Sequence, residues 1–205
     1  PLFGKKVLVT RARDQASALT AALENLGAEC IEAPAIRIAP PESFAALDQA
    51  IANLGAYDWL IFTSVNGVEY FFARLREAGL DTRSFGGRKV AAIGVATAEK
   101  LRGYGVVADI VPAEFRAEGI IAALDGLVGE GMRVLIPRAA VARDILPERL
   151  REAGAVVDVA TAYRTVAGDA QGPELAAALA GGEIDLVTFT SSSTVTNLLE
   201  LLGRD

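Results

Sequence analysis

The 205-residue chain has no histidine and one cysteine. Without an imidazole there is no Ser-His-Asp triad, no His-ligated zinc and no His general base. With Cys30 alone there is no disulfide within the chain and no four-cysteine metal site. Nothing suggests a secreted disulfide scaffold, so a reducing compartment, the cytoplasm, is expected. Positive charge is the scarcer sign: 20 Lys and Arg stand against 26 Asp and Glu, a net charge of −6, which argues against bulk nucleic-acid affinity. No run approaches the ~18 consecutive apolar residues of a membrane span. Pro1–Lys6 is no signal peptide, and a start at Pro rather than Met reads as a trimmed chain or a piece of a longer one. What is abundant is apolar: 52% hydrophobic against 22% charged residues, the balance of a globular protein.

These apolar residues fall into a repeating rhythm of short run, turn and helical pattern. Strands are expected at Lys6–Thr10, Cys30–Ile38 (broken by Pro34), Trp59–Thr63, Val90–Ile93, Val106–Val111, Arg133–Ile136, Val156–Ala162 and Leu186–Phe189. Helices are expected at Asp14–Leu26, from a Ser43 cap through Leu54, and at Val65–Ala78, Thr97–Tyr104, Ala117–Val128, Asp144–Ala153, Glu174–Ala180 and Val195–Leu202. Strands alternating with helices imply an α/β fold with parallel sheets covered on both faces. Cys30 and Trp59 read as core strand residues.

Shifted by 127 residues, the chain lies over itself without a gap. Val7-Leu8 meets Val134-Leu135, Arg11-Ala12 meets Arg138-Ala139, Gly27-Ala28 meets Gly154-Ala155, and Phe62-Thr63-Ser64 meets Phe189-Thr190-Ser191. In all, 20 of 78 overlapping positions are identical, which one fixed offset explains as duplication and a general likeness of βα units does not. On the repeat arithmetic, the second copy stops where the first continues through Arg88–Gly126, so two βα units are expected to be missing from it.

Familiar motifs are lacking: no GxxxxGK[ST], no GxGxxG after a strand, no GxSxG and no CxxC. The acidic residues are scattered and read as solvated helix faces. Three strand-to-helix junctions are rich in hydroxyls: Phe62–Gly67 with Thr63 and Ser64, Ile93–Thr97 with Gly94 and Thr97, and Phe189–Thr194 with Ser191 and Ser192. Each offers helix N-terminal N–H groups that seat an anion. Ordinary N-capping accounts for any one of them, whereas three in a duplicated chain point to a polyanionic ligand. Arg11, Arg13 and Arg138 also follow strands and would supply positive charge, or stand in surface ion pairs of little energetic consequence. Tyr163 replaces Ile36 of the other copy. It is either a proton or hydrogen-bond donor or a tyrosine packed in a hinge.

The motifs Val7–Arg11, Phe62–Val68, Ile93–Ala98, Val134–Arg138, Ala162–Thr165 and Phe189–Ser193, in this order, resemble the uroporphyrinogen-III synthase family along the whole chain. The resemblance implies two flavodoxin-like parallel-sheet lobes, interleaved in sequence and joined by a two-stranded connection. Residues 1–37 with 167–205 would form the first, incomplete lobe and residues 38–166 the second, with the active site in the cleft between them. It implies a lyase that closes hydroxymethylbilane into uroporphyrinogen III with inversion of ring D and loss of water, using no metal and no organic cofactor. Tyr163 would aid hydroxide departure. Thr97 would face the cleft, and Arg11, Thr63, Ser64, Gly94, Arg138, Ser191 and Ser192 would bind a substrate with eight carboxylates. Nucleic acid and membrane are not expected partners; fusion to, or work beside, other tetrapyrrole enzymes is. A two-lobe anion receptor or a regulatory module of the same fold without catalysis is the alternative.

Overall fold

The apolar runs become strands, most of them followed by a helix. A computed structural model describes residues 1–10, 13–33, 36–167, 172–189 and 192–203. Its strands are β1 (Lys6–Val9), β2 (Glu29–Glu32), β3 (Ile36–Ala39), β4 (Trp59–Phe62), β5 (Lys89–Ala92), β6 (Arg133–Ala139), β7 (Val156–Ala167) and β8 (Leu186–Thr188). Its helices are α1 (Arg13–Asn25), α2 (Ala45–Ala52), α3 (Val65–Glu77), α4 (Val95–Gly103), α5 (Ala117–Leu124), α6 (Ile145–Glu152), α7 (Gly172–Ala180) and α8 (Ser192–Leu201). The chain divides into two compact units, Pro1–Ala39 with Thr165–Asp205, and Pro40–Arg164.

In the first unit, β2-β1-β8 form a parallel sheet, with Leu8 fully buried among Ala33, Leu175 and Leu198. The other sheet has the order β3-β7-β6-β4-β5, in which β4 pairs in parallel with β5 and β6, and β6 with β7. All four residues of β4 are buried, as a strand covered on both faces requires. Trp59 and Ile61 pack with Ile120 and Leu124 of α5 and Leu146 and Leu150 of α6. Phe62 points the other way, its ring edge-on to Phe71 of α3 at 5.3 Å. Among the described residues no helix is long and apolar enough to cross a membrane.

The 127-residue offset reappears as register. Val7 pairs with Leu186 and Val134 with Trp59; Lys6 pairs with Glu29 and Arg133 with Val156. Lys6–Glu29 moved by the offset is Arg133–Val156, and Val7–Leu186 becomes Trp59–Val134 when the two copies are exchanged. The helix stops agree as well. Gly27 and Gly154 take φ of +93° and +89°, and a Cβ on either would press on Phe3 or on its counterpart Glu130. In both copies the next residue donates back across the helix end, Ala28 to Leu23 and Ala155 to Leu150, closing the Schellman pattern that glycine permits.

The matching registers share a clasp. Asp185 Oδ2 accepts the backbone N–H of Lys6 at 2.8 Å, and Asp58 Oδ2 that of Arg133 at 2.8 Å. The same aspartates donate their own N–H groups to the carbonyls of Lys6 and Arg133, both at 2.9 Å. Asp109 repeats the device on β5, accepting from Val90 N at 2.8 Å and Lys89 Nζ at 2.8 Å. The acidic residues expected only on solvated helix faces thus include strand-end carboxylates with fixed partners.

Two expected strands differ. Val106–Val111 contributes one parallel bridge, Ile110 to Ala91, because Asp109 spends its side chain on Val90 and Pro112 has no N–H to continue a ladder. Cys30–Ile38 becomes β2 and β3, which belong to different sheets. Cys30 itself is half-buried, packed against the core cluster of Val7, Val9 and Ala28 rather than within it, and burial, then Glu24 and Glu32, push its thiol pKa up.

The hydrogen bond from Lys5, then that from the Lys6 backbone, holds the Asp185 carboxyl below the usual carboxylate range. Its stabilisation is therefore present above the unfolded pKa of about 4 and fades as pH falls through the lower folded value. Asp185→Asn is expected to lower the urea midpoint at pH 7. The gap to the unsubstituted protein should begin to narrow below about pH 4 and close only below the lower folded value, where Asp185 protonates in the folded chain. Urea titrations of both proteins across pH 2.5–7 check this.

Candidate functional site

Parallel strands deliver their C-terminal ends to one edge of a sheet, where loops and helix N-termini meet. In the Pro40–Arg164 unit this edge carries Thr63 after β4, Gly94 after β5, Arg138 near the end of β6, and Tyr163 on β7. Residue Ser64 is the N-cap of α3, its Oγ accepting Gly67 N–H at 2.9 Å.

Tyr163 is nearly buried, and its hydroxyl donates to Ser64 Oγ at 3.0 Å. The two lone pairs of Ser64 are thereby taken by Gly67 N–H and Tyr163 O–H, so the serine's own hydrogen is left to donate elsewhere. Behind the phenol, the Tyr70 ring of α3 stacks on Tyr163 at 6.0 Å, Phe44 stacks on Tyr70 at 6.4 Å, and the Arg74 guanidinium lies 4.6 Å over Phe44. Arg74 is fixed in turn by two hydrogen bonds to Asp48, at 2.8 and 2.7 Å. The ring is also held from the backbone. The β6–β7 register slips between Arg138 and Ala139, setting Ala139 opposite Tyr163, and Ala140 N donates to the Tyr163 carbonyl at 2.8 Å. A bulge here aims the side chain at the sheet's end.

Tyr163, Thr63 and Arg138 line one cavity of about 320 Å³, together with Arg116, Arg143 and Phe115. The first turns of α5 and α6 reach it through Ala117 and through Leu146 and Pro147. The Arg138 side chain is only 12% exposed and is braced by Asp144 and by the Arg143 carbonyl at 2.9 Å. Its Nε is buried and has no hydrogen-bond partner among the described residues. A small apolar floor and three guanidinium groups make a seat for a bulky anion.

The structure brings Thr63, Arg138 and Tyr163 together, with Ser64 one hydrogen bond behind. Gly94 lies beneath Phe115, whose ring stands 3.2 Å from where a Cβ on Gly94 would be. Thr97 is 4% exposed and is not among the cavity's lining residues. Arg11 and Ser191 lie outside the described residues. Ser192 opens α8, and its side chain also lies outside them. Sequence reasoning missed Arg116, Arg143 and Tyr70. Arg116 stands five residues past the expected strand Val106–Val111, farther than the rule that selected Arg138, an arginine just past a strand, reaches.

A larger cavity of about 620 Å³ elsewhere in this unit holds none of these residues, and its charged groups are spent on one another. Tyr57 donates to Asp158 at 2.8 Å, Arg133 to Asp158 at 3.2 Å, and Arg151 to the Val157 carbonyl at 2.9 Å. Burial, then the hydrogen bond to Asp158, pushes the Tyr57 phenol up to about 12, so it stays protonated at neutral pH. Among the described residues no three His, Cys, Asp or Glu side chains group as a metal site.

Ser64 both caps α3 and anchors Tyr163. Ser64→Ala is expected to cost about 1–2 kcal/mol of stability, read from urea unfolding at neutral pH.

A family model described as uroporphyrinogen-III synthase HemD matches residues 17–205. The uroporphyrinogen-III synthase of Synechococcus elongatus is 37% identical over 100% of this chain and 77% of that protein. The porphyrin biosynthesis protein HemD of Ruminiclostridium josui is 35% identical over 95% of this chain, which spans only 39% of that relative's length. Among solved structures, a mutant uroporphyrinogen III synthase from Thermus thermophilus matches with a TM-score of 0.69 at 20% identity, over 96% of this chain and 77% of that one. The Helicobacter pylori uroporphyrinogen-III synthetase matches at 0.60 and 18%, over 96% and 78%. These two likenesses establish the α/β fold. On the family model and the sequence relatives, the chain belongs to the uroporphyrinogen-III synthase family.

Proposed function

We propose that the protein closes hydroxymethylbilane into uroporphyrinogen III, inverting ring D and losing water, and that the cavity at the ends of β4, β6 and β7 is part of the site. The observation that carries this is the meeting of a buried, hydrogen-bonded tyrosine with Thr63 and three arginines at one cavity of a family member. The substrate is a flexible chain of four pyrroles bearing eight carboxylates, so the first task is to fold and hold it. Arg116, Arg138 and Arg143, which line the cavity, serve the carboxylates.

The chemical step breaks the C–O bond of the terminal hydroxymethyl group, with electrons supplied by the adjacent pyrrole nitrogen. The departing hydroxide needs a proton to leave as water. Tyr163 gives it, turning its O–H from Ser64 to the leaving oxygen. The freed Ser64 hydroxyl then donates to the phenolate oxygen, reversing the hydrogen bond seen at 3.0 Å and spreading the charge. The proton later lost at the new ring junction restores the phenol. Stacking on Tyr70 keeps the ring from swinging while its proton moves. Thr63 adds a hydroxyl to the cavity wall, whereas Gly94 and Thr97 at the start of α4 are assigned to binding by family resemblance alone. Arg11, Ser191 and Ser192 are assigned to binding by repeat and family resemblance alone.

The finer architecture belongs to the same proposal: two flavodoxin-like lobes, residues 1–37 with 167–205 and residues 38–166, joined through β3 and β7. In its support, β2-β1-β8 and β7-β6-β4 correspond under the 127-residue offset, strand for strand. The segment order β7-β6-β4-β5-Ile110 is then 2-1-3-4-5 when counted from β6.

Given hydroxymethylbilane, the protein should yield a larger share of the III isomer than buffer does, as resolved by chromatography of the oxidised porphyrins. A ratio equal to that in buffer would overturn the reading. Tyr163→Phe should keep the fold and slow ring closure by roughly 10²-fold, the scale of a lost general acid; an unchanged rate removes Tyr163 from the mechanism.

A further inference from the structure

The three arginines that line the cavity are each already paired with an acid from a neighbouring stretch of chain. Arg116 Nη2 meets Glu114 Oε2 at 3.0 Å, Arg143 Nη1 meets Glu118 Oε1 at 3.2 Å, and Arg138 pairs with Asp144. The arginines face the cavity; none of the three acids is among its lining residues. The acids therefore hold the guanidinium groups of cavity-lining residues without lining the cavity themselves.

Glu118 is the most telling of the three. It lies in the first turn of α5, and its carboxylate accepts its own backbone N–H. That bond first, and then Arg143 and Arg116, hold its pKa below the usual carboxylate range. A helix N-terminal N–H with two arginines beside it is what a bound carboxylate requires, and the protein has filled the position with a carboxylate of its own. The pair is exposed, Arg143 at 69% and Glu118 at 49%, so water and salt weaken it and exchange is easy.

We propose that Glu118, with Glu114 and Asp144 in support, is a placeholder that occupies the arginines until the carboxylates of the substrate displace it. The identity of those carboxylates rests on the proposed function; the exchange itself does not. Its use is selectivity. A tethered acid competes well against a single free anion, because its effective concentration is high. A ligand that presents several carboxylates at once displaces several placeholders in one binding event and wins by the same multivalency. Simple anions are thus kept out of a positively charged cavity without losing the polycarboxylate.

The test is Glu118→Gln, which keeps the shape and removes the charge. KM for hydroxymethylbilane should fall by roughly 3–10-fold with the effect on KM rather than kcat, and inorganic phosphate should inhibit at correspondingly lower concentration. Arg143→Gln should raise KM whether or not Glu118 is present. In parallel, fluorescence titration with uroporphyrin III, an octacarboxylate, reads the exchange without turnover. If the unsubstituted protein makes no excess of the III isomer, the proposed function falls, yet tighter uroporphyrin binding by the Gln variant still upholds the placeholder. An unmoved or weaker KM and uroporphyrin affinity in Glu118→Gln overturns it, because a merely structural Glu118 would change thermal stability alone. Glu114→Gln gives the same readout independently should the first variant fail to fold.

Discussion

A carboxylate at the start of one strand takes the first N–H of the strand beside it, and both sheets depend on that contact. Asp185 does this for β1 and Asp58 for β6, while their own N–H groups return a bond to the carbonyl of the same residue. Parallel strands have no tight turn to fix their pairing, since a long crossover separates them. A slip of one residue would turn every buried side chain of the strand to the other face. The two-way clasp removes that freedom at the strand's first residue. It also pairs strands far apart in sequence, β1 with β8 and β6 with β4, and so gives both units of the chain the same register.

Register at one end of a sheet decides geometry at the other. With Trp59 opposite Val134 and Arg133 opposite Val156, β4, β6 and β7 run level, and Thr63, Arg138 and Tyr163 arrive at the same edge. The irregularity between Arg138 and Ala139 then sets Tyr163 where its hydroxyl reaches the α3 cap. Rigid support follows from packing: Tyr70, Phe44 and Arg74 form a stacked column behind the phenol, anchored by Asp48. A residue proposed to deliver one proton at one moment needs such a support, because a rotating ring would lose the alignment that makes the transfer effective.

Under the proposed function an acidic protein receives a polyanion, and local electrostatics account for it. The net charge of −6 is a property of the whole surface, whereas binding answers to local field. Three arginines line one cavity, each paired with a nearby carboxylate that does not line it, so positive charge is gathered locally in a chain of negative net charge. The absence of histidine has a place in this picture. Under the proposed function the substrate's own pyrrole nitrogen pushes out the hydroxide, and the protein contributes position, charge and one weak acid.

The sequence by itself determined the alternation of strands and helices, the duplication, and the strand-to-helix junctions that carry candidate site residues. These are local or periodic features: apolar runs, glycine stops such as Gly27 and Gly154, and hydroxyl caps such as Ser64. Only the tertiary structure decided which copy's strand pairs with which, that Cys30–Ile38 divides between two sheets, and that Val106–Val111 is held to a single bridge. Side-chain competition for backbone groups, as at Asp109, leaves no periodic trace in a sequence. The same holds for the arginine wall. Arg116 and Arg143 are 27 positions apart and belong to no shared motif, and they meet because α5 and α6 pack on one face of the same sheet. Placement by packing depends on contacts between distant residues, and those exist only once the chain has folded.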